Sequence, residues 1–338
     1  MNKLKFAIVG CGHIGMRHLK IIQAEKNAEL VAVCDNDHNI LEILSQNYPD
    51  LDLYENFSEM LLKSGADVIC ICTPHGFHSK MSVEAVKAKK HVLVEKPMAL
   101  DSAQSREMIK EAEKNGVRLF VVKQNRYNKP INLTNEALKK QKLGRIFIVQ
   151  CNVMWNRNQD YYNQSSWRGK KSTEGGALFT QVSHFLDLLV WWFGEIEEAK
   201  TLVETLNHNI EIEDCGVSSL KFANGALGSL VWTNCVYNSN YEGSITILGE
   251  KGSIKIGGQY LNEIEFWDVN SYPLPIDTEF EDRPNSYGSY QGSSSNHDKL
   301  MHDLILQVVN DRKGVVEGEE GLKSIKAIEK IYRNTKMQ

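Results

Sequence analysis

The stretch KFAIVGCGHIG, residues 5–15, decides how the first part of the chain folds. Its apolar run ends in Gly10-Cys11-Gly12-His13-Ile14-Gly15, a G-x-G-x-x-G placed to close a strand and open a helix. Glycines at this spacing allow a tight turn and let backbone approach a pyrophosphate, whose charge a helix N-terminus favours. The motif alone is weak, but its context is correct. The next apolar run, ELVAVCD, ends in Asp35, twenty residues beyond Gly15, where a carboxylate can accept both ribose hydroxyls of an adenosine. A carboxylate there repels a 2′-phosphate, and Asn36-Asp37-His38 supplies no arginine to hold one. NAD is therefore expected over NADP.

Outward from that stretch, strand and helix patterns alternate. KFAIVG, ELVAVCD, DVICICTP, HVLVEKP and RLFVVKQ are separated by helical patterns at about Ile14–Lys26, Ile40–Gln46, Ser79–Ala88 and Ser102–Asn115. The strands are continuous apolar runs, as in a parallel sheet covered on both faces. The expected fold class is α/β, with an N-terminal Rossmann doubly wound parallel sheet over residues 1–125. From about Gly144 the texture changes to RIFIVQCNVMW, EEAKTLVETL, EDCGVSSLKFA, GALGSLVWTNCVY, YEGSITILGE, GSIKIGG and EIEFWDV, joined by Asn-Gly, Gly-Glu-Lys-Gly and Gly-Gly turn signals. These predict a C-terminal α+β domain over residues 126–338, with a large open, mostly antiparallel sheet for substrate binding and oligomerisation. Helices are expected at Ala177–Phe193 and His297–Asp311, and a long surface loop at Pro273–Asn296.

Composition narrows the function classes. A length of 338 residues favours two cores. The net charge of -4, with no basic stripe, argues against nucleic acid. The longest apolar run, around Leu186–Phe193, is too short for a bilayer, and the N-terminus enters a strand without a cleavage site, so a cytoplasmic protein without a membrane partner is expected. Seven cysteines lie mostly in apolar segments, and Cys70-Ile71-Cys72 has no second pair at zinc-like spacing. Reduced buried thiols and no metal are expected.

Several residues carry candidate chemistry. Thr73, Pro74, His75 and His78 follow a strand at the carboxyl edge of the first sheet, where ligands bind in such folds. Glu95-Lys96-Pro97 ends another strand at the same edge, and Pro97 biases Lys96 towards extended geometry. The lysine is expected towards the nicotinamide end, where an ammonium stabilises a developing alkoxide. Candidate cofactor contacts are thus Gly10, Gly12, His13, Ile14, Gly15, Asp35, Thr73, Pro74, His78, Glu95, Lys96 and Gln124. In GGALFTQVSHFLDLLVWWFG, residues 175–194, an otherwise apolar helix carries Thr180, Ser183, His184 and Asp187 at i, i+3, i+4 and i+7. A polar stripe on a buried helix needs partners, and an active-site wall supplies them. His184 is the expected proton acceptor, with Asp187 orienting its ring.

At these residues the sequence resembles the glucose-fructose oxidoreductase and inositol dehydrogenase (Gfo/Idh/MocA) family over nearly its whole length, through AIVGCGHIG, EKP, GGALFTQVSHFLD and the strand-rich second part. The resemblance implies catalytic roles for Lys96 and His184. Inositol-type members place an aspartate four residues before that histidine; here the position is Thr180, which disfavours inositol or a free sugar. The segments FVVKQNRYN, NVMWNRNQDYYNQSSWRG, NIEIED and YEGSITILGEKGSIKIGG are similar to the nucleotide-sugar branch that oxidises UDP-N-acetyl-2-amino-2-deoxyglucuronate at C3 for bacterial surface-polysaccharide (O-antigen) synthesis. By that resemblance the partners are a small-molecule nucleotide sugar and a homotetramer. Arg157, Tyr161, Trp167, Arg168, Thr180 and Gln181 are candidate substrate contacts, since arginines clamp diphosphate and uronate charge and aromatics cover a ring. Another sugar or polyol dehydrogenase or ketoreductase, and a non-catalytic NAD-binding regulator, remain as alternatives.

Overall fold

The structure, a computed structural model, describes residues 3–275, 284–286, 291–312, 314, 316–333 and 335. The chain forms two compact units, Met1–Val122 with His297–Ile325, and Lys123–Asn296 with Lys326–Gln338.

In the first unit, strands β1 (Leu4–Val9), β2 (Ala28–Cys34), β3 (Asp52–Tyr54), β4 (Val68–Ile71), β5 (His91–Val94) and β6 (Leu119–Val121) alternate with helices α1 (His13–Ala24), α2 (His38–Asn47), α3 (Phe57–Lys63), α4 (His75–Lys87) and α5 (Ser102–Asn115). The sheet order is β3-β2-β1-β4-β5-β6, all parallel. This is the expected doubly wound sheet, with its switch point between β1 and β4. Residues 6–9 and 68–71 are buried throughout, as strands covered on both faces should be. The short strand β3 escapes sequence reading because it is an edge strand of Asp52-Leu53-Tyr54, paired on one side only and partly exposed. Asp37, Asn56 and Asp101 cap α2, α3 and α5 by accepting from backbone N–H groups of the first turn. Helix α4 begins at His75 and not near Ser79, so His75 and His78 stand on its first turn.

The second unit opens with a single 3-10 turn at Gln124–Tyr127 and α6 (Lys129–Lys139). There follow β7 (Ile146–Met154), α7 (Gln159–Asn163), α8 (Ala177–Thr180), α9 (Ser183–Phe193), β8 (Ile196–Glu204), β9 (Cys215–Phe222), β10 (Leu227–Thr233), β11 (Glu242–Gly249), β12 (Gly252–Gly257) and β13 (Glu263–Val269). All seven expected strands form, in the order β13-β12-β11-β7-β10-β9-β8, antiparallel except for the β7–β10 pair. One face is buried: Val149, Cys151 and Val153 point inward from β7 while Gln150 is exposed. Gly243 leaves room for α9, because a Cβ there would come within 3.0 Å of the Phe185 ring.

Three expectations change. The helix Ala177–Phe193 is broken at Gln181-Val182, where the Ala177 carbonyl accepts from both Gln181 N–H (3.0 Å) and Val182 N–H (3.1 Å), a local widening of the helical turn. Within the expected loop Pro273–Asn296, β14 (Pro284–Ser286) and β15 (Gln291–Ser294) pair antiparallel; residues 276–283 and 287–290 lie outside the described set. The division expected at 125/126 is also altered, since α10 (His297–Val309) packs on α1 of the first unit. The chain before α11 (Gly318–Tyr332) then runs beside β6, with Val121 N–H donating to the Val316 carbonyl at 2.7 Å and Arg118 paired with Glu317. No disulfide joins the seven cysteines. Among the described residues no helix is long and apolar enough to cross a membrane.

Candidate active site

The glycine loop is built for a pyrophosphate. Gly10 has φ +86°, and a Cβ there would meet the Cys72 carbonyl at 2.8 Å, so only glycine fits between β1 and β4. A Cβ on Gly15 would lie 2.0 Å from the Gly10 oxygen, whereas one on Gly12 would meet nothing within 4 Å. Two glycines therefore serve close packing, and Gly12 leaves an open approach. Gly12 also precedes α1 without a side-chain cap, and the first turn, which begins with exposed His13 and half-buried Ile14, has no acidic residue. Its N–H groups suit an anion. Asp35, at the end of β2, is held ready: its carboxylate accepts from Cys11 N–H (2.6 Å) and Asp37 N–H (3.0 Å). These residues fit the two phosphates and the adenosine ribose of a dinucleotide.

At the carboxyl ends of β4 and β5, half-buried Thr73, Pro74 and Lys96 are accompanied by two side chains that turn inward. The His78 ring lies between the Pro97 carbonyl (Nδ1, 2.7 Å) and the Thr73 carbonyl (Nε2, 2.7 Å), fully buried. It straps two strand ends together. The Glu95 carboxylate likewise turns inward, to His18 at 2.8 Å. Gln124 is buried in the 3-10 turn of the second unit.

In the second unit Tyr161 is a hub. The Arg168 guanidinium lies 4.1 Å and the Arg157 guanidinium 5.3 Å from its ring centroid, and Gln181 Nε2 donates to its hydroxyl at 3.3 Å. Trp167 stands 5.6 Å from Arg168. Five of the six candidate substrate contacts thus come together. The sixth, Thr180, donates its hydroxyl to buried Glu174 at 2.9 Å. Sequence reading missed Asn234, whose amide donates to Tyr162 Oη (3.0 Å) and Gln181 Oε1 (3.3 Å); it follows β10 and carries no pattern beyond a strand end.

His184 is buried on the first turn of α9. Asp187, one turn on and 3% exposed, holds Lys123 Nζ at 2.9 Å and takes Arg126 as a fork, with Nε and Nη2 both at 2.8 Å. Burial by itself raises the Asp187 carboxyl, and the Arg126 and Lys123 charges overcome it and hold the group well below the usual range. Asp187 thus anchors α9 to the turn at 123–127.

The helix entry has a second buried carboxyl. Glu213 accepts from Tyr332 Oη (2.5 Å) and Ala177 N–H (3.0 Å), beside Gly176, where a Cβ would lie 2.2 Å from Tyr332 Oη. Burial pushes Glu213 up to about 7 from 4.5. The folded chain then holds a proton that the unfolded chain loses above 4.5, so this group's stabilisation is full below pH 4.5 and is lost as pH rises to 7. At 1.36 kcal/mol per unit the loss is about 3 kcal/mol. Glu213→Gln should flatten that part of the stability profile in urea melts from pH 4.5 to 8; a slope unchanged from the parent would contradict the assignment.

Two groups of described side chains have donor atoms within 4.8 Å of one another, His18-Glu95-His297 and His208-Asp214-Cys235. In the second, His208 Nδ1 is bonded to Asp214 at 2.9 Å, and burial pushes the Cys235 thiol up to about 12, which disfavours the thiolate that a metal needs.

The chain matches known proteins in sequence and fold. Residues 4–123 match the model of an oxidoreductase family with an NAD-binding Rossmann fold, GFO_IDH_MocA, and residues 132–255 match the GFO/IDH/MocA C-terminal domain. The chain is similar to the WlbA dehydrogenase of Chromobacterium violaceum in complex with NADH and UDP-GlcNAcA, with 38% identity, TM-score 0.90, and 98% of this chain and 94% of that one covered. It is similar to the WlbA dehydrogenase of Bordetella pertussis, solved with the same two ligands, with 36% identity, TM-score 0.87, and coverage of 98% and 96%. The 2,7-anhydro-N-acetylneuraminate hydratase of Escherichia coli (strain K12) is 28% identical over 265 residues, 76% of this chain and 68% of that protein.

Proposed function

Because the chain belongs to the Gfo/Idh/MocA oxidoreductase family and is an NAD-dependent dehydrogenase, we propose that it oxidises the C3 hydroxyl of UDP-N-acetyl-2-amino-2-deoxyglucuronate (UDP-GlcNAcA) to the 3-keto sugar. The observation that carries this reading is the pair of arginines, Arg157 and Arg168, around Tyr161. Two guanidiniums beside one aromatic ring suit a ligand with a diphosphate and a uronate, and an uncharged polyol has no use for them. The similarity to two enzymes solved with that sugar nucleotide supports the same choice.

Gly10, Gly12, Gly15 and Asp35 hold the dinucleotide, which when bound accepts the hydride from C3. His184 takes the hydroxyl proton as general base. Lys96 donates to the C3 oxygen and stabilises the charge that grows on it. Alcohol and NAD give ketone, NADH and one proton. The ketone so formed is set for transamination, the use expected in bacterial O-antigen synthesis in the cytoplasm.

The test mixes protein in excess with NAD and UDP-GlcNAcA and follows the NADH absorbance band. One NADH per active site is expected. Turnover only with a polyol or free sugar would reassign the substrate, and none with any substrate would leave a dinucleotide-binding regulator.

The outer face of the seven-stranded sheet carries exposed apolar side chains in register. Leu202 pairs with Val217 across β8 and β9, and Leu227 and Leu248 flank Ile148 from β10 and β11. An apolar sheet face of this kind is covered most simply by a second copy. We propose a homo-oligomer, a tetramer by the family resemblance. Light scattering should report a multiple of 38.4 kDa, and a monomer mass at micromolar concentration would reject it.

A further inference from the structure

Glu95 lies immediately before Lys96 with 7% of its surface exposed. A carboxylate this deep has lost most of its hydration and requires donors in exchange. It finds one side-chain donor on a helix, and a second imidazole stands farther off. His18 Nε2 of α1 is 2.8 Å from Oε1, and His297 Nε2, at the start of α10, is 3.8 Å from the same oxygen. The other oxygen, Oε2, accepts from the Lys96 backbone N–H at 3.2 Å. The two imidazoles meet edge to face at 5.6 Å and are 1% and 2% exposed.

The far nitrogens decide the protonation. His18 Nδ1 and His297 Nδ1 are buried and have no hydrogen-bond partner among the described residues. A proton on either would be a buried donor without an acceptor, at a cost of about 1–3 kcal/mol, so each ring carries its proton on Nε2, the atom facing Glu95. The same bare nitrogens argue against a metal, because a ligating histidine is normally anchored through its second nitrogen. Burial lowers His297 to about 3, so that ring is neutral. Burial raises Glu95, but the hydrogen bond from His18 and the nearby Lys96 charge bring it down to about 2, so the carboxylate is ionised.

Among the described residues, the other titratable groups facing this cluster are Arg17 on α1, Cys70 on β4 with Cys72 just beyond it, and His78 on α4. Burial keeps both thiols protonated and lowers His78. Glu95 is the anion of the group, one residue from the Lys96 ammonium.

We infer that Glu95, locked by His18 and flanked by His297, is a positioning residue for Lys96: the buried anion keeps the adjoining ammonium in place and in its cationic form. The inference rests on the catalytic role proposed for Lys96. A carboxylate favours a nearby cation, so removing its charge makes the ammonium easier to deprotonate.

The test compares Glu95→Gln, His18→Leu, His18→Gln and Lys96→Met as full-length proteins, through NADH binding by fluorescence and the pH profile of kcat with UDP-GlcNAcA. Glu95→Gln is expected to bind NADH, lose about 10- to 100-fold in kcat, and show its alkaline limb about one unit lower. His18→Leu should shift the limb in the same direction, and His18→Gln, which restores an N–H donor towards Glu95, should recover most of it. An unmoved alkaline limb in both Glu95→Gln and His18→Leu, with Lys96→Met inactive, overturns the inference and leaves the role of Lys96 intact. A fully active Lys96→Met overturns that role and the inference with it. Should Glu95→Gln fail to fold, the two His18 variants decide, since both retain the carboxylate.

Discussion

Lys96→Met is expected to lose about a thousandfold in turnover while still binding NADH, because the substitution keeps the apolar stem and removes the ammonium. Lys96 leaves β5 at the carboxyl edge of the parallel sheet, half-buried, with its backbone fixed on both sides by Glu95 and by the Pro97 carbonyl at His78. A cation held in this way needs no reorganisation when charge develops on the sugar oxygen. Removal of one such preorganised donor costs about 100- to 1,000-fold in enzymes that stabilise an oxyanion, and loss of the positioning of the hydroxyl adds to it. The glycine loop and Asp35 are distant in sequence and independently held, so the dinucleotide should still bind. Single-turnover absorbance and NADH fluorescence on the same preparation separate the two effects. A variant that turns over within tenfold of the parent would remove Lys96 from the mechanism.

Asp187→Ala should be the most destabilising single change in the second unit. It strands Lys123 and Arg126, buried at 7% and 3% exposure, without the carboxylate that both contact. Breaking a buried pair from one side costs about 3–5 kcal/mol, since a charge is left in a medium that does not solvate it. With roughly 2–4 °C per kcal/mol for a unit of this size, the melting point should fall by about 10 °C. The Asp187 carboxyl is depressed in the fold, so its contribution is present above the unfolded value of 3.8 and fades only as pH drops below it. The gap between parent and variant melts should therefore hold from pH 8 to 5 and narrow in acid. A variant melting within 2 °C of the parent but with an altered pH–rate profile would instead make Asp187 the tuner of His184.

The parallel sheet was legible because a strand covered on both faces has no choice but a run of Val, Ile, Leu and Cys, and because Gly10-Cys11-Gly12 and Asp35 stand at fixed distances along one chain segment. The edge strand Asp52–Tyr54 was not, since a strand paired on one side is free of that demand. The seven strands of the second sheet showed themselves through alternation and turns. Partners remote in sequence left no local trace: Arg126 meets Asp187 across 61 residues and His18 meets Glu95 across 77. The helical spacing of Thr180, Ser183, His184 and Asp187 suggested one face; it did not show the widened turn at Gln181-Val182, nor that Thr180 donates to Glu174 and Asp187 holds two cations. A stripe on a helix records that polar groups are satisfied, not by what.

The central claim is that hydrogen leaves carbon C3 of an anionic sugar nucleotide for the dinucleotide. UDP-GlcNAcA deuterated at C3, incubated with NAD and protein in excess, should yield NADH heavier by one deuterium when weighed by mass spectrometry. Unlabelled NADH, or no NADH from a single turnover, would contradict it.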